Sequence, residues 1–336
     1  MAYKVAINGF GRIGRTAFKV AQYHPEIEIV AINDLADNEN LAYLLRRDSV
    51  YGQYSEEVSV DDDNLIVGGL EVRMLAEADP AKLPWKELKV DVVIESTGLF
   101  VESSKANLHI QAGAKAVVIS APSKGENPAP TAVIGANEVA TKNGPIISNA
   151  SCTTNCVSPV MAVLESAFGV EKGMLTTIHA YTSSQNIQDG PQKDWRRGRA
   201  GAYNIVPTST GAAKATTEVV PTLKDKFDGL AIRVPVITGS LSDITALLKK
   251  KTTVEEINET FRERADKGIF KGVLGYASDP LVSSDVVGSS YSAIFDPGLT
   301  RVIDGDLIKV VAWYDNESGY SSRLVEQVIN VARQIS

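Results

Sequence analysis

Residues 3–14 read YKVAINGFGRIG, in which a short apolar run, YKVAIN, leads directly into Gly9-Phe10-Gly11-Arg12-Ile13-Gly14. The order is strand, GxGxxG, helix. Ile13, Ala17, Val20 and Ala21 recur at helical spacing. Gly14 is therefore expected to open a helix whose N-terminal amides can hold a pyrophosphate, with the glycines letting the backbone come close. A glycine turn between strand and helix is common and usually structural, so the residues that follow decide its meaning. A second strand, EIEIVAIN (26–33), is expected after the helix, and Asp34 stands at its end, at the distance from the glycines where a dinucleotide fold places its ribose-binding acid. An acid there binds both ribose hydroxyls of NAD and repels the extra phosphate of NADP, and Leu35-Ala36-Asp37 supplies no arginine to receive one. Gly9, Gly11, Arg12, Ile13, Gly14 and Asp34 are thus the expected cofactor residues, and NAD the expected cofactor.

The alternation continues outward. VDVVIESTG (90–98), a helical stretch SSKANLHIQAGA (103–114) and AVVISAPS (116–123) follow, and TAVIGAN (131–137) and PIISNAS (145–151) are read as two more strands. Strands alternating with helices imply a Rossmann-type, doubly wound parallel sheet, whose ligands bind at the C-terminal ends of its strands. Ser96, Thr97 and Ser120 stand at such ends and are expected to line the cofactor cleft. Residues 52–75 read as strands or a hairpin and carry no motif.

A chain of 336 residues, 44% hydrophobic and 22% charged, has an ordinary globular composition and a length that suggests two domains. Its net charge of −7 argues against a nucleic-acid partner, whose binding domain would carry a basic footprint. No apolar run approaches a membrane span, and MAYKVAINGF lacks the basic-then-apolar pattern of a leader, so a cytoplasmic protein with no membrane association is expected.

The only two cysteines lie in SNASCTTNC (148–156). The strand PIIS precedes them and a helical apolar pattern, CVSPVMAVLESAFGV, follows, which puts Cys152 at a helix start. There the macrodipole and free amides favour a thiolate, the form that attacks carbonyls. Cys156 lies a turn further along the same face, where an i, i+4 pair points badly for a disulfide. It reads as a small buried hydrophobe. Zinc needs about four ligands, and two thiols with three scattered histidines do not supply them, so no metal is expected. A thiol nucleophile works with a base. His24 falls in a loop and His109 inside a helical pattern, whereas His179 ends the β-branched run MLTTIHAYT, so His179 is the expected partner of Cys152.

Together SNASCTTNC, HAYTSSQ (179–185), PTSTGAAK (207–214), AIRVP (231–235) and WYDNESGYSSR (313–323), behind NGFGRIGR, closely resemble glyceraldehyde-3-phosphate dehydrogenases over essentially the whole chain. The resemblance implies that Cys152 forms a thiohemiacetal and then an acyl thioester, with His179 as base and acid, and that inorganic phosphate releases 1,3-bisphosphoglycerate. It implies Thr182 and Arg233 for the phosphate of glyceraldehyde 3-phosphate, Ser151, Thr153, Thr210 and Gly211 for inorganic phosphate, and Arg197 as a further anion-site residue. It assigns Asn316 to the nicotinamide carboxamide and Tyr320 to a place beside that ring. It also implies an NAD-binding domain of residues 1–151 and 316–336, an α+β catalytic domain with a mostly antiparallel sheet over 152–315, and a homotetramer.

Three segments depart from the family pattern: Arg47, where an aromatic residue is commoner, TGSLSDI (238–244) in place of a segment resembling NVSVVDL, and Ser318, which replaces a usually larger residue. None removes a named group. The competing readings are an erythrose-4-phosphate dehydrogenase of the same fold, which typically changes the STGAAK segment kept here, and a non-catalytic dinucleotide-binding protein, against which Cys152 and His179 speak.

Overall fold

The computed structural model describes residues 2–137, 144–265 and 267–335. The chain forms two compact units, one of Met1–Ala132, Val139–Ala150 and Ser321–Ser336, the other of Val133–Glu138 and Ser151–Tyr320.

In the first unit β1 (Tyr3–Asn8), α1 (Arg12–Ala21), β2 (Ile27–Asn33) and α2 (Asn38–Arg46) are followed by a minimal hairpin, β3 (Arg47–Asp48) and β4 (Gly52–Gln53). A meander of β5 (Val58–Asp61), β6 (Asn64–Val67) and β7 (Leu70–Leu75) comes next, then α3 (Trp85–Leu88), β8 (Val92–Glu95), α4 (Ser103–Gln111), β9 (Ala116–Ile119) and β10 (Ile146–Ser148). The sheet order is β10-β9-β8-β1-β2-β7-β6-β5, parallel from β10 to β7 and antiparallel beyond. From β7 to β10 this is the doubly wound order of a dinucleotide-binding fold, with its switch point between β1 and β8. The central strands are buried on both faces: Val5, Ala6 and Ile7 in β1, Val92–Ile94 in β8 and Ala116–Ile119 in β9 are fully enclosed. Continuous apolar runs are what a parallel sheet covered on both sides requires.

Two expectations need correction. The first helix starts at Arg12, with Gly11 as its N-cap, so Gly14 lies inside the first turn rather than opening it. TAVIGAN is not a strand. Only Thr131 bridges to Ser148; Val133 O accepts from Ala136 N and Asn137 N, Asn137 Oδ1 accepts from Val133 N, and Gly135 sits at φ +88. The side-chain bond from asparagine and the left-handed glycine close a turn that apolar composition alone does not announce.

The second unit opens with α5 (Cys152–Phe168), almost wholly buried. Around it run β11 (Val170–Ala180), β12 (Val206–Ser209), α6 (Ala212–Val219), β13 (Phe227–Val234), β14 (Ser240–Leu248), α7 (Val254–Ala265), β15 (Leu274–Tyr276), β16 (Ala293–Phe295), β17 (Arg301–Ile303) and β18 (Leu307–Tyr314). The sheet order is β12-β13-β11-β14-β18-β16-β15, with β17 on β18, antiparallel except for β11 with β13 and β15 with β16. Along β14 burial alternates, so Ser240, Ser242, Ile244, Ala246 and Leu248 share the inner face. At the start of α7, Thr253 Oγ1 accepts from Glu256 N, but the Glu256 carboxylate accepts from Thr252 Oγ1, so only half of a capping box is made. The last helix, α8 (Ser318–Ile335), buries Tyr320, Leu324, Val325, Val328 and Ile329; from Ser321 onward it belongs to the first unit.

Candidate active site

In the first unit a cavity of about 280 Å³ lies at the ends of the parallel strands, lined by Gly9, Gly11, Asp34, Ser96, Thr97 and Leu99 among others. A Cβ at Gly9 would lie 2.6 Å from Thr97 N and one at Gly14 2.1 Å from Gly9 O, whereas the space beside Gly11 is open. Side chains at the first two positions would clash, and one at Gly11 would fill the approach to the helix start. That cradle suits the pyrophosphate of NAD.

Asp34 Oδ2 accepts from Phe10 N at 2.7 Å and Oδ1 from Ala36 N at 3.0 Å, so the acid also holds the glycine loop in place. Ser96 Oγ donates to Gly9 O at 2.7 Å. Ser120 N donates to Glu95 O. Ile13 follows Gly11 in the first turn of α1. The Arg12 guanidinium is paired with Asp48 at 2.9 Å and lies over the Tyr51 ring.

Beneath this cavity is a network that the sequence reading missed. Glu95 and His109 are fully buried. Glu95 accepts from Asn8 Nδ2 at 2.6 Å, Thr97 N at 2.9 Å and Thr97 Oγ1. Trp85 Nε1 donates to His109 Nδ1 at 3.0 Å, which leaves His109 Nε2 to donate to Glu95 at 3.0 Å. Four donors thus converge on one buried carboxylate, as burial of a charge demands. The bonds link β1, β8, α3 and α4 through residues far apart in the chain, so no local motif announces them.

In the second unit Cys152 is the first residue of α5. Ser151 caps that helix, its Oγ accepting from Thr154 N at 3.2 Å, and Ala150 before it takes a left-handed φ of +55, a costly conformation for a residue with a Cβ. Cys152 Sγ lies 3.4 Å from His179 Nε2. His179 Nδ1 lies 2.7 Å from Ala180 O and 2.8 Å from an Arg233 Nη1 that also donates to Ala180 O. In the tautomer that donates Nδ1–H to this carbonyl, Nε2 turns a lone pair to the thiol, the arrangement a base needs. Parallel pairing of β11 with β13, which sets His179 opposite Arg233, produces this contact.

Desolvation, and then the adjacent Arg233 charge, depress His179 to about 3, so it is neutral near pH 7. Desolvation pushes the Cys152 thiol up from its ordinary value, against the pull of Arg233, Thr153 and the helix-start amides. The expected thiolate preference of a helix start is therefore outweighed by burial, and a base beside the thiol gains importance. Cys156 is fully buried and pushed up to about 12 by desolvation.

The other expected residues fall as follows. Thr153 turns its hydroxyl to Tyr314 Oη at 3.0 Å, and Tyr314 also bonds Thr177 Oγ1 at 2.9 Å and meets the His179 ring edge to face. Nothing in the spacing of Tyr314 within WYDNESGYSSR points to His179. Thr182 Oγ1 bonds Ser184 Oγ, and Thr210 Oγ1 accepts from Ala212 N beside Gly211, the N-cap of α6. Arg197 is held by Thr208 Oγ1 at 2.8 Å and Ser209 O at 3.2 Å. Arg233 Nε is buried without a hydrogen-bond partner among the described residues. Asn316 and Tyr320 are both buried.

The fold and site define an NAD-dependent oxidoreductase. Comparison with known proteins narrows this. The NAD binding domain of glyceraldehyde 3-phosphate dehydrogenase matches residues 3–103, and the C-terminal domain of that enzyme matches residues 151–316. The chain is 52% identical to a glyceraldehyde-3-phosphate dehydrogenase of Mycobacterium avium over 100% of both chains. It is 51% identical to glyceraldehyde-3-phosphate dehydrogenase 1 of Bacillus subtilis and to the Geobacillus stearothermophilus enzyme, each over 99% of both chains. The chain belongs to the glyceraldehyde-3-phosphate dehydrogenase family.

Proposed function

We propose that this enzyme oxidises D-glyceraldehyde 3-phosphate to 1,3-bisphosphoglycerate with NAD and inorganic phosphate, the phosphorylating step of glycolysis and gluconeogenesis. The observation that carries this reading is the 3.4 Å contact between Cys152 Sγ and a neutral His179 Nε2, with Arg233 at the far side of the imidazole. His179 takes the thiol proton, and the sulfur adds to the aldehyde carbon to form a thiohemiacetal. Amides at the start of α5 steady the developing oxyanion. NAD, when bound, supplies the hydride acceptor. The carbon then remains on Cys152 as an acyl thioester. A phosphate oxygen attacks it, the C–S bond breaks with its electron pair on Sγ, and His179 returns a proton or stabilises the departing thiolate.

The unpartnered, buried Nε of Arg233 supports the assignment of that guanidinium to the phosphate of the substrate, with Thr182 beside it in the role. Ser151, Thr153, Thr210 and Gly211 serve inorganic phosphate. Because the Ser151 and Thr153 hydroxyls are engaged within the protein, these two act through backbone N–H groups or shared hydrogen bonds. Arg197 is a further anion group, steered by Thr208. Asn316 holds the nicotinamide carboxamide, and Tyr320 packs beside the ring. Gly9 through Gly14, Asp34, Ser96, Thr97 and Ser120 hold the rest of NAD.

Assembly as a cytoplasmic homotetramer is part of the same reading. Ile187, Trp195, Tyr203 and Ile205 stand strongly exposed along one loop, an apolar surface a lone chain rarely keeps. Light scattering should report about four copies of the chain, and a monomer at micromolar concentration would contradict this.

The test is NADH formation from purified enzyme with glyceraldehyde 3-phosphate, with and without phosphate, and with erythrose 4-phosphate as competitor. Cys152→Ser should fold, bind NAD and lose turnover. Turnover that survives in Cys152→Ser, or a preference for the four-carbon aldehyde, defeats the proposal.

A further inference from the structure

Asn316 is buried, yet its Nδ2 has no hydrogen-bond partner among the described residues, while its Oδ1 has two neighbours, Ser240 Oγ at 2.9 Å and Thr238 Oγ1 at 3.3 Å. The orientation of this amide can be settled by chemistry. Ser240 Oγ accepts from Ala180 N at 3.1 Å, and Ser240 is itself buried. Its single hydrogen goes to Asn316 Oδ1. Were the amide turned over, the Ser240 hydrogen would face an N–H and stay unpaired in the interior, a costly outcome. Thr238 does not reverse the choice. Its hydrogen has a carboxylate acceptor in Asp315 Oδ1 at 3.3 Å whichever way the amide points.

Resting on the assignment of Asn316 to the nicotinamide carboxamide, we propose that Ser240 is a positioning residue that turns the NH₂ of Asn316 toward the ligand, so that the enzyme reads the carbonyl oxygen of the carboxamide and not its NH₂ group. The same serine ties this amide to Ala180, the neighbour of His179 and the acceptor of the Arg233 bond. One hydroxyl on the inner face of β14 therefore joins the group that orients the cofactor to the end of the strand that carries the base.

Calorimetric dissociation constants test this without reference to turnover. The probes are NAD and 3-acetylpyridine adenine dinucleotide, which keeps the carbonyl oxygen and replaces the NH₂ by a methyl group. The proteins are wild type, Ser240→Ala and Asn316→Ala. Asn316→Ala should weaken both dinucleotides by about two- to tenfold, the worth of one hydrogen bond. The penalty for the acetyl analogue should be the same in wild type and in Asn316→Ala, since the cycle between residue and ligand group shows no coupling if the NH₂ is not read. Ser240→Ala should weaken both ligands in parallel. An analogue penalty that disappears in Asn316→Ala would mean that the NH₂ is read and the amide points the other way. Unchanged binding in Ser240→Ala removes the positioning role. If Asn316→Ala changes neither ligand, the underlying assignment of Asn316 fails instead.

Discussion

His109 and His179 are both buried imidazoles, each with both ring nitrogens engaged, and they differ in what surrounds them. His109 lies between an indole N–H and the Glu95 carboxylate, in a network that gives each ring nitrogen a partner. His179 lies between a thiol and a guanidinium, beside a positive charge that opposes its protonation and a reactive group. The first environment is closed and complementary, and it holds strands together. The second is electrostatically unsatisfied, with a depressed imidazole, a raised thiol and a buried guanidinium nitrogen that has no partner among the described residues. Such mismatch marks a site that a ligand completes.

Substitution should separate the two. His179→Asn is expected to lower kcat by about 10²–10⁴-fold, the usual loss of a general base, with little change in NAD affinity. A smaller loss than tenfold in stopped-flow NADH formation would place His179 with His109 as structural. Arg233→Ala should raise KM for the aldehyde phosphate by about one to two decades, because a charge-assisted hydrogen bond is worth about 1.5–3 kcal/mol, and should spare an unphosphorylated aldehyde. Equal losses for both aldehydes would indicate that the guanidinium acts through His179 alone.

The reverse result is expected at the other histidine. His109→Ala leaves Glu95 short of a donor and Trp85 short of an acceptor, and should cost about 1–3 kcal/mol in urea unfolding while kcat of the folded enzyme is unchanged. A large drop in kcat at unchanged stability would erase the distinction.

A further difference is expected in the pH dependence of stability. His179 is depressed to about 3 from the ordinary 6.5. Between these values the unfolded chain binds a proton that the folded chain refuses, so stability falls as pH drops through the window, by up to about 1.4 kcal/mol per pH unit. Thermal melts of wild type and His179→Asn from pH 7 to 4 should diverge, with the variant showing the shallower slope. Parallel curves would show that His179 titrates normally.

Much of the first unit was legible in the sequence because its signals are local. A strand that runs into GxGxxG and then a helix, followed by a second strand ending at Asp34, is set by residues within a few positions of one another. The same holds for Cys152 at a helix start, where Ser151 supplies the cap. The exceptions are instructive. The glycine motif and the helical spacing after it point to Gly14 as the start of α1, whereas Gly11, with nothing beside it, is the cap. TAVIGAN carries strand composition, but Asn137 and Gly135 close it into a turn.

Tertiary structure alone decided the chemistry around the thiol and the order within the first unit. That His179 faces Cys152 follows from the position of β11 beside α5, and that Arg233 reaches His179 follows from a parallel register. The raised thiol follows from burial, which no position in a helix reveals. The Glu95–His109–Trp85 network, the Tyr314 bridge and the Ser240–Asn316 bond each join residues brought together only by folding. Sequence determines periodicity, caps and turn chemistry because those interactions span a turn or a strand. Hydrogen-bond partners and desolvation depend on which elements end up adjacent, and that is settled by packing the whole unit.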